Sequence, residues 1–389
     1  MRSRFDTLAR AGVLAAFAAL LAAPAVAQPA ERMAEAQRGP VRVETLARAA
    51  HPWGLAFLEG DRFLVTERNA GRLMFGDGAG ALREVSGAPE TYRYEGPTDR
   101  SQGGLFDIAL HPDFANNRVL FLSHSRWTEE GGGTAVTRAR LVGEDGDSPR
   151  LEDARTIFMM NNPDGSGLHF GGRLAFDPRD GTLLLSIGDR RNMNRSQDAS
   201  DHAGAILRMR EDGSPAGEPR FQGGAPHVHA IGLRNVQGMA FHPQTGELWV
   251  NDHGPQAGDE IHRVEGGKNY GWPFLTGGKD YSGAPVGEGT RREGMEPAVH
   301  IFERTVGPSG LAIYDGTRFP EWRGDKLHGG LGARALVRTR MENGRVVQEE
   351  WMLRDLDRRI RDVRVHRDGS VWLLTEHEDG EVLRLTPAR

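Results

Sequence analysis

A histidine followed closely by two glycines is the group in this sequence best suited to acid–base chemistry. His169 stands in the segment GLHFGGRLAF at 167–176, and histidine is the side chain whose charge changes near neutral pH. The glycines would let a bound group approach the backbone. Asp189 ends the next apolar run, where its carboxylate could fix the imidazole tautomer. The alternative interpretation is a surface histidine at the entrance of a strand.

Arginine and amide side chains precede two further apolar runs. Arg234 and Asn235 stand in GLRNVQG at 232–238, and Arg359 and Arg361 flank Ile360. A delocalised cation beside an amide suits carboxylate or quinone oxygens, and the alternation of a strand would place Arg359 and Arg361 on the same side. Salt bridges that hold loops, or plain solvated charges, are the alternatives.

A loop rich in Gly, Pro and acidic residues could bind a metal ion. It reads NDHGPQAGDE at 251–260 and is followed by GGKNYGWP at 266–273. Carboxylates and free carbonyls are the ligands that Ca²⁺ prefers, although the spacing is not that of an EF-hand. The chain has no cysteine, so any metal must be held by oxygen or imidazole. A solvated acidic turn remains the alternative for this loop.

Six pairs of short apolar segments must position these residues. The pairs are 53–57 with 62–66, 104–110 with 119–123, 172–176 with 183–187, 237–241 with 247–251, 309–313 with 325–328, and 360–365 with 370–375. Short apolar runs bounded by Gly, Pro and Asp indicate buried strands, and a repeat of roughly 50 to 70 residues suits a four-stranded blade. The sequence therefore predicts an all-β six-bladed β-propeller with four-stranded antiparallel blades. The segment 41–45 is expected to close the ring by pairing with the last blade.

Composition and the N-terminal residues indicate which partners to exclude and where the protein is located. The 389 residues include 52 glycines, which favours many turns, and the formal charge of −5 provides no basic field for nucleic acid or an anionic membrane. Arg2, Arg4 and Arg10 precede an apolar run at 11–23 and an A-x-A site ending at Ala27, which indicates a secretory signal peptide. We expect a signal peptide at 1–27 with cleavage after Ala27, a linker at 28–40 and one propeller domain at 41–389. The mature chain is expected in the periplasm or outside the cell, without membrane insertion.

Several motifs, taken in chain order, resemble those of the soluble PQQ-dependent sugar dehydrogenases, in particular the aldose sugar dehydrogenase branch. The resemblance runs from about residue 45 to the C-terminus, and a six-bladed propeller is the fold it implies. The motifs are QGGL at 102–105, HPDF at 111–114, HFGGRL at 169–174, LRNVQG at 233–238, HGPQAGDE at 253–260, NYGWP at 269–273 and RIRDV at 359–363.

The resemblance implies a role for each matching residue. His169 would take a proton from the anomeric hydroxyl and Asp189 would orient it. Arg234 would stabilise charge on the quinone oxygen while hydride passes from sugar C1 to C5 of PQQ. The implied PQQ contacts are Gln102, His169, Arg234, Asn235, Arg359 and Arg361, with Arg334 where glucose-oxidising members have a lysine. The implied Ca²⁺ ligands are the carbonyls of Gly254 and Pro255 for an ion that bridges to PQQ, and Glu260, the Tyr270 carbonyl and Asp280 for a second, structural ion.

The activity implied by the resemblance is PQQ- and Ca²⁺-dependent oxidation of aldoses to lactones, with electrons passed to a soluble or membrane-linked acceptor. Dimeric glucose-oxidising members carry an aromatic-rich stretch before a Pro-Ser pair, whereas the segment 302–309 has no tryptophan here. A monomer with a more open aldose site is therefore expected. Propellers host many functions, so a calcium-dependent propeller lactonase or other hydrolase, and a non-catalytic secreted binding propeller, are the alternatives.

Overall fold

The computed structural model describes residues 31–34, 36, 40–95, 101–146 and 148–388. The expected signal peptide at 1–27 and its cleavage site lie outside these residues. Within the described ranges, no helix is long and apolar enough to cross a membrane.

Almost all regular structure in the described ranges is β-strand. Helical structure is confined to α1 (Phe114–Asn117) and three 3₁₀ turns at Met193–Gln197, Pro320–Trp322 and Arg354–Leu356. The strands are β1 (Glu31–Ala34), β2 (Val41–Ala49), β3 (Pro52–Phe57), β4 (Phe63–Glu67), β5 (Arg72–Gly76), β6 (Leu82–Val85), β7 (Leu105–Leu110), β8 (Val119–Thr128), β9 (Gly131–Val142), β10 (Arg150–Met159), β11 (Leu174–Phe176), β12 (Leu183–Ile187), β13 (Ala205–Met209), β14 (Val228–Ala230), β15 (Val236–Phe241), β16 (Leu248–Asp252), β17 (Glu260–Val264), β18 (His300–Ile301), β19 (Pro308–Ile313), β20 (Lys326–Gly330), β21 (Ala335–Glu342), β22 (Arg345–Met352), β23 (Ile360–Val365), β24 (Val371–Thr375) and β25 (Gly380–Pro387).

The strands form six antiparallel sheets, which we call blades 1 to 6. Blades 1 to 5 each use four consecutive strands, namely β3–β6, β7–β10, β11–β14, β15–β18 and β19–β22. Blade 6 has the order β1-β2-β25-β24-β23. The first strands of successive blades contact one another around a closed ring, in which β23 also contacts β3. The predicted six-bladed propeller is confirmed.

The ring is closed by an early strand that pairs with the last one. β2 pairs with β25 from Val41 opposite Pro387 to Ala49 opposite Gly380, as the sequence predicts for 41–45. β1 adds a fifth strand outside β2, although its residues fall within the predicted linker at 28–40. β1 covers an edge that β2 would otherwise expose, and the buried side chain of Ala34 packs in the same cluster as Val43.

Apolar side chains of neighbouring blades share their cores. Phe63 of blade 1, for example, lies edge-on against Trp372 of blade 6 with ring centroids 5.5 Å apart, and both are fully buried. All five residues of β4 are buried, because an inner strand is covered by a blade on each face. This explains why the inner strands read as short apolar runs.

Strand direction brings the predicted site residues to one end of the ring. His169 precedes β11, Arg234 and Asn235 precede β15, and Arg359 precedes β23. All first strands of the blades begin at this end, and the loops from second to third strands return to it. Asp189 follows β12 and therefore meets His169 there.

Candidate functional site

A cavity of about 670 Å³ opens at the end of the ring where the first strands begin. It is lined by side chains from different blades, with Trp53, Phe106 and Phe170 forming an apolar part of its wall. The predicted residues that line it are Gln102, His169, Arg234, Asn235, Gly254, Pro255, Arg359 and Arg361. The fold therefore collects most of the predicted site in one place.

His169 and Asp189 form a buried imidazole–carboxylate pair. The Nδ1 atom of His169 lies 2.6 Å from Oδ1 of Asp189, so Nε2 is the ring nitrogen left for a ligand. The backbone N–H of His169 donates to Oε1 of Gln102 at 2.8 Å. His169 has φ 52°, a left-handed conformation that is uncommon outside glycine and that sets the ring direction at this turn.

The electrostatics of this pair favour a neutral base beside an ionised carboxylate. Burial lowers the pKa of His169, and the hydrogen bond and charge of Asp189 offset this only in part. Burial by itself would raise the pKa of Asp189, but the hydrogen bond from His169 and the Arg234 cation bring it below its usual value. The imidazole is therefore available as a proton acceptor at neutral pH.

A tryptophan that sequence reasoning did not single out holds Asp189 from the other side. Nε1 of Trp272 donates to Oδ2 of Asp189 at 3.0 Å, and the guanidinium of Arg234 lies 5.4 Å from the indole ring centroid. Trp272 stands in the NYGWP motif, so a signal was present. What the motif could not show is that its indole reaches a carboxylate from another blade.

A buried aspartate fixes the Arg234–Asn235 turn. The two carboxylate oxygens of Asp252 accept the backbone N–H groups of Arg234 at 2.7 Å and Asn235 at 2.6 Å. Burial raises the pKa of Asp252 to about 6. The Arg234 side chain donates to the carbonyl of His253 at 3.1 Å. Asp252 was counted in the sequence only within an acidic loop, whereas the structure uses it as a backbone anchor.

The floor of the cavity carries more arginines than carboxylates. Glu376 accepts from Arg361 at 2.7 Å and Arg68 at 2.8 Å, while Arg359 donates only to the carbonyl of Leu331 at 3.3 Å. Burial lowers the pKa of Arg68 to about 10 and also lowers that of Arg359. Arg68 and Glu376 were missed because neither stands in a recognised motif. This excess of cations suits an anionic ligand.

The loop predicted to offer carbonyls to a metal is held by a second buried aspartate. Asp259 accepts the backbone N–H of Gly254 at 3.0 Å and those of Val306 and Gly307 at 2.8 Å. The Gly254 and Pro255 carbonyls accept no hydrogen bond from the described part of the chain. His253, which is partly buried, precedes them in the chain, and its buried Nε2 has no hydrogen-bond partner among the described residues.

The two acidic residues predicted for a second metal each have other hydrogen-bond partners. Oε2 of Glu260 lies 3.1 Å from Nε2 of His262, whereas Asp280 accepts from the Tyr281 N–H at 2.7 Å and the Ser282 hydroxyl at 3.1 Å in its own turn. Over the described ranges, no three His, Asp or Glu side chains converge as metal ligands. Tyr270 packs its ring edge-on against His262.

Arg334 lies close enough to Arg359 for its charge to lower the pKa of that residue, but its side chain is engaged by another partner. Its side chain is 53% exposed and forms an ion pair with Asp357 at 2.8 Å. It stands in the turn between β20 and β21, with a φ of 48°, and is not part of the cavity wall.

Known proteins share both the sequence and the fold. The aldose sugar dehydrogenase of Escherichia coli is 35% identical over 355 residues, which cover 89% of this chain and 93% of the relative. Quinoprotein glucose dehydrogenase B of Acinetobacter calcoaceticus is 30% identical over 264 residues, 61% of this chain and 53% of the relative. The PQQ-bound aldose sugar dehydrogenase of Streptomyces coelicolor superposes with a TM-score of 0.73 at 26% identity, covering 92% of this chain and 98% of that structure.

The family model for glucose/sorbosone dehydrogenases matches residues 49–384. This range contains all six blades except β1 and parts of β2 and β25, and it includes every residue of the cavity described above. The resemblance seen in the sequence motifs is thereby confirmed, and the chain belongs to the glucose/sorbosone dehydrogenase family of oxidoreductases.

Proposed function

We propose that this protein oxidises aldose sugars at C1 to the lactone, with PQQ as the hydride acceptor and an external acceptor for the electrons. The observation that carries the proposal is one cavity lined by a buried His169–Asp189 pair and by arginines from separate blades. A relative is named a quinoprotein, and a structural neighbour has PQQ bound. These names support the cofactor assignment.

The cavity has the chemistry that a tricarboxylic quinone requires. Arg359 has no carboxylate partner among the described residues, and Arg361 and Arg68 share the single carboxylate of Glu376. The aromatic side chains of the wall and the amides of Gln102 and Asn235 complete a pocket with both apolar and hydrogen-bonding surfaces. We assign Gln102, Asn235, Arg234, Arg359 and Arg361 as the residues that would hold PQQ. When bound, PQQ supplies the two-electron acceptor that protein side chains lack.

The protein's part in the reaction is to position the sugar and move a proton. Nε2 of His169 would accept the proton of the anomeric hydroxyl, because Nδ1 is already engaged by Asp189. Asp189 stabilises the imidazolium that results, and Trp272 keeps the carboxylate in place. The Arg234 guanidinium provides a fixed positive charge where negative charge develops on an oxygen.

Calcium enters this proposal at the loop that carries Gly254 and Pro255. Both residues line the cavity, no backbone N–H of the described residues donates to their carbonyls, and carbonyl oxygens are suitable ligands for Ca²⁺. We propose this loop as the metal contact beside PQQ. The second site does not fit as well, because Glu260 and Asp280 are engaged separately. Arg334, held by Asp357, is left out of the proposed cofactor contacts.

We also propose that the enzyme acts after export, as a monomer. The reasons are the signal-peptide pattern at 1–27 and the absence of tryptophan from the segment 302–309. Gel filtration of the protein from a periplasmic extract, with N-terminal sequencing, tests the cleavage site and the oligomeric state together.

Reconstitution tests the proposed activity. The purified chain is mixed with PQQ, with Ca²⁺, with both or with neither, and dye reduction is measured with xylose and glucose as substrates. We expect turnover only when both are present, together with reduction of the quinone absorbance by sugar. Lactone hydrolysis without PQQ would instead identify a hydrolase, and no turnover with unchanged absorbance would indicate a binding protein.

A further inference from the structure

A second large cavity lies between blades 4 and 5, at the opposite end of the ring from the candidate active site. We call it the distal cavity; it measures about 810 Å³, and its walls include Trp249, Arg323, Lys326 and Met341. β15 runs from the Arg234 turn to Phe241, so Trp249, near the start of the returning strand β16, stands at the far end. Lys326 begins β20 at the same end of blade 5.

Lys326 is a buried cation that forms no ion pair with a carboxylate of the described residues. The residue is 2% exposed, and its Nζ lies over the Trp249 ring, 3.8 Å from the centroid. Its one hydrogen bond is to the thioether sulfur of Met341 at 3.0 Å, which is a weak acceptor. Burial lowers the pKa of Lys326 to about 8, although Glu247 and Asp325 oppose the shift. The ammonium is therefore still mostly protonated at pH 7.

A second buried donor stands beside this ammonium. Nε1 of Trp249 is buried and has no hydrogen-bond partner in the described part of the chain. Buried donors are nearly always paired, because leaving one unpaired forfeits its hydration. Here two such donors, one of them charged, line the same cavity.

The other charges of the distal cavity are already balanced or lie in solvent. Arg263 forms an ion pair with Glu247 at 3.1 Å and Arg340 with Glu342 at 3.2 Å. Asp325 is paired with the buried Arg338. Glu321 and Arg323 are exposed at the rim. Among the buried charges that line this cavity, the ammonium of Lys326 is therefore the one without an ion pair in the described part of the chain.

We propose that the distal cavity binds a small oxyanion, a carboxylate or a phosphate, whose oxygens accept from Nζ of Lys326 and Nε1 of Trp249. A ligand with two or more oxygens can accept one hydrogen bond from Nζ of Lys326, which lies over the Trp249 ring, and another from the indole N–H at the edge of that ring. Such a ligand provides what Met341 cannot, namely a charged acceptor for a buried ammonium. The site is separate from the active-site cavity and shares no lining residue with it.

The small number of lysines allows a direct test. The chain has three, Lys268, Lys279 and Lys326, so the full chain labelled with ¹³C at lysine Cε gives three NMR signals. Sodium acetate and sodium phosphate are titrated separately against sodium chloride at constant ionic strength. We expect either or both to shift the Lys326 signal saturably, while the signals of Lys268 and Lys279 stay unchanged. The two titrations distinguish a carboxylate ligand from a phosphate ligand.

Variants identify the signal and test the second donor. Lys326→Met removes its signal; should that variant fail to fold, Lys268→Met and Lys279→Met identify it by elimination. Trp249→Phe keeps an aromatic ring under the ammonium but removes the N–H, and should raise the half-saturating anion concentration about threefold to tenfold. The proposal is overturned if neither anion shifts the Lys326 signal more than chloride does. It is equally overturned if Trp249→Phe binds as the wild type does, because the site is then not built as described.

Discussion

At the scale of single residues, the proposed base depends on two opposing influences on one imidazole. Burial favours the neutral form of His169, whereas the carboxylate of Asp189 favours the protonated form that exists after proton transfer. A base that is neutral at rest and stabilised once charged suits a reaction at neutral pH. We therefore expect replacement of His169 to lower turnover, and replacement of Asp189 to change the pH dependence as well.

Replacing the base should lower turnover without removing the cofactor. We expect His169→Gln to reduce kcat by about two to four orders of magnitude, the usual contribution of a general base. The measurement is dye reduction after reconstitution, with PQQ affinity determined separately by fluorescence quenching. Turnover equal to that of the wild type would remove His169 from this role.

Replacing the orienting carboxylate should change the pH profile. The pKa of His169 is lowered, so the acid limb of kcat/KM for the wild type should lie below the ordinary histidine value of about 6.5. Asp189 raises the pKa of His169 relative to burial alone, so Asp189→Asn should move that limb to still lower pH and reduce kcat. A limb that moves to higher pH would contradict the assigned electrostatics. Trp272→Phe keeps the charge of Asp189 but removes the hydrogen bond that Trp272 donates to it. This variant should lower kcat with a much smaller shift of the acid limb of the pH profile.

At this scale, the sequence predicted which residues line the cavity where they lie within one continuous motif. His169, Arg234 and Asn235 could be predicted because each stands beside glycines just before a strand. Trp272 and Glu376 could not be given their roles, because their partners belong to other blades. Only the closed ring brings Trp272 to Asp189 and Glu376 to Arg361.

At the scale of elements, two neighbouring arginines before β23 have different surroundings. Arg359 lines the candidate active-site cavity, whereas Arg358 lies 3.5 Å from the buried Glu381 of β25. Alternation along the chain thus gives two adjacent side chains opposite surroundings. This is the pattern that the sequence predicts for Arg359 and Arg361, with Ile360 turned to the core.

This pair provides a matched test of cofactor binding. Arg359→Ala should weaken PQQ affinity by roughly tenfold to a hundredfold, the range for losing a charged hydrogen bond, while Arg358→Ala should leave it unchanged. Arg359→Ala together with Arg361→Ala should weaken it further, because Arg361 also holds Glu376. Affinity is measured by titrating PQQ into the apoprotein. Equal effects of Arg358→Ala and Arg359→Ala would show a general charge effect instead of a contact.

The ring-closing strand β2 should contribute to stability through its buried side chains. Val43 is fully buried and pairs across from Leu385 of β25. Val43→Ala should cost about 2 kcal/mol in the free energy of unfolding, from two lost methyl equivalents and a small cavity. Val347→Ala on β22, where the side chain is 53% exposed, should cost less than about 0.5 kcal/mol. Denaturant unfolding followed by circular dichroism compares the two, and similar losses would contradict closure through β2.

The inner strands of each blade could be predicted from the sequence, whereas the outer strands could not be located individually. The inner two strands of every blade could be found from apolar runs, since both of their faces are buried. The outer strands are less regular: β18 has two residues, and β10 alternates only in part. β1 lay inside a predicted linker, because a four-residue edge strand has no distinctive apolar pattern.

At the scale of the whole molecule, the cluster of charges at the ring centre links stability to pH. Burial alone would raise the pKa of Glu376, but Arg361, His51 and Arg68 hold it well below its ordinary value of 4.5. An acid whose folded-state pKa is depressed stabilises the fold above its unfolded pKa, and the contribution is lost as the pH falls. Acid should therefore weaken the contacts between blades 1 and 6.

The expected outcome is a stability difference that depends on pH. Glu376→Gln should be less stable than the wild type at pH 7, and the difference should shrink steadily below about pH 4.5. Glu378→Gln, two residues along and exposed, is the control and should follow the wild type throughout. Chemical denaturation at several pH values gives both curves. A difference that grows on acidification would have the wrong sign for this ion cluster.

The pairing of β2 with β25 also determines when the fold can be completed during protein synthesis. The two partners are separated by most of the described polypeptide, so β2 has no partner in blade 6 until β25 has been translated. Closing so long a loop carries a large entropic cost before its contacts form. We therefore expect a nascent chain to stay an open array of blades, with the ring closing once β25 can insert between β24 and β2.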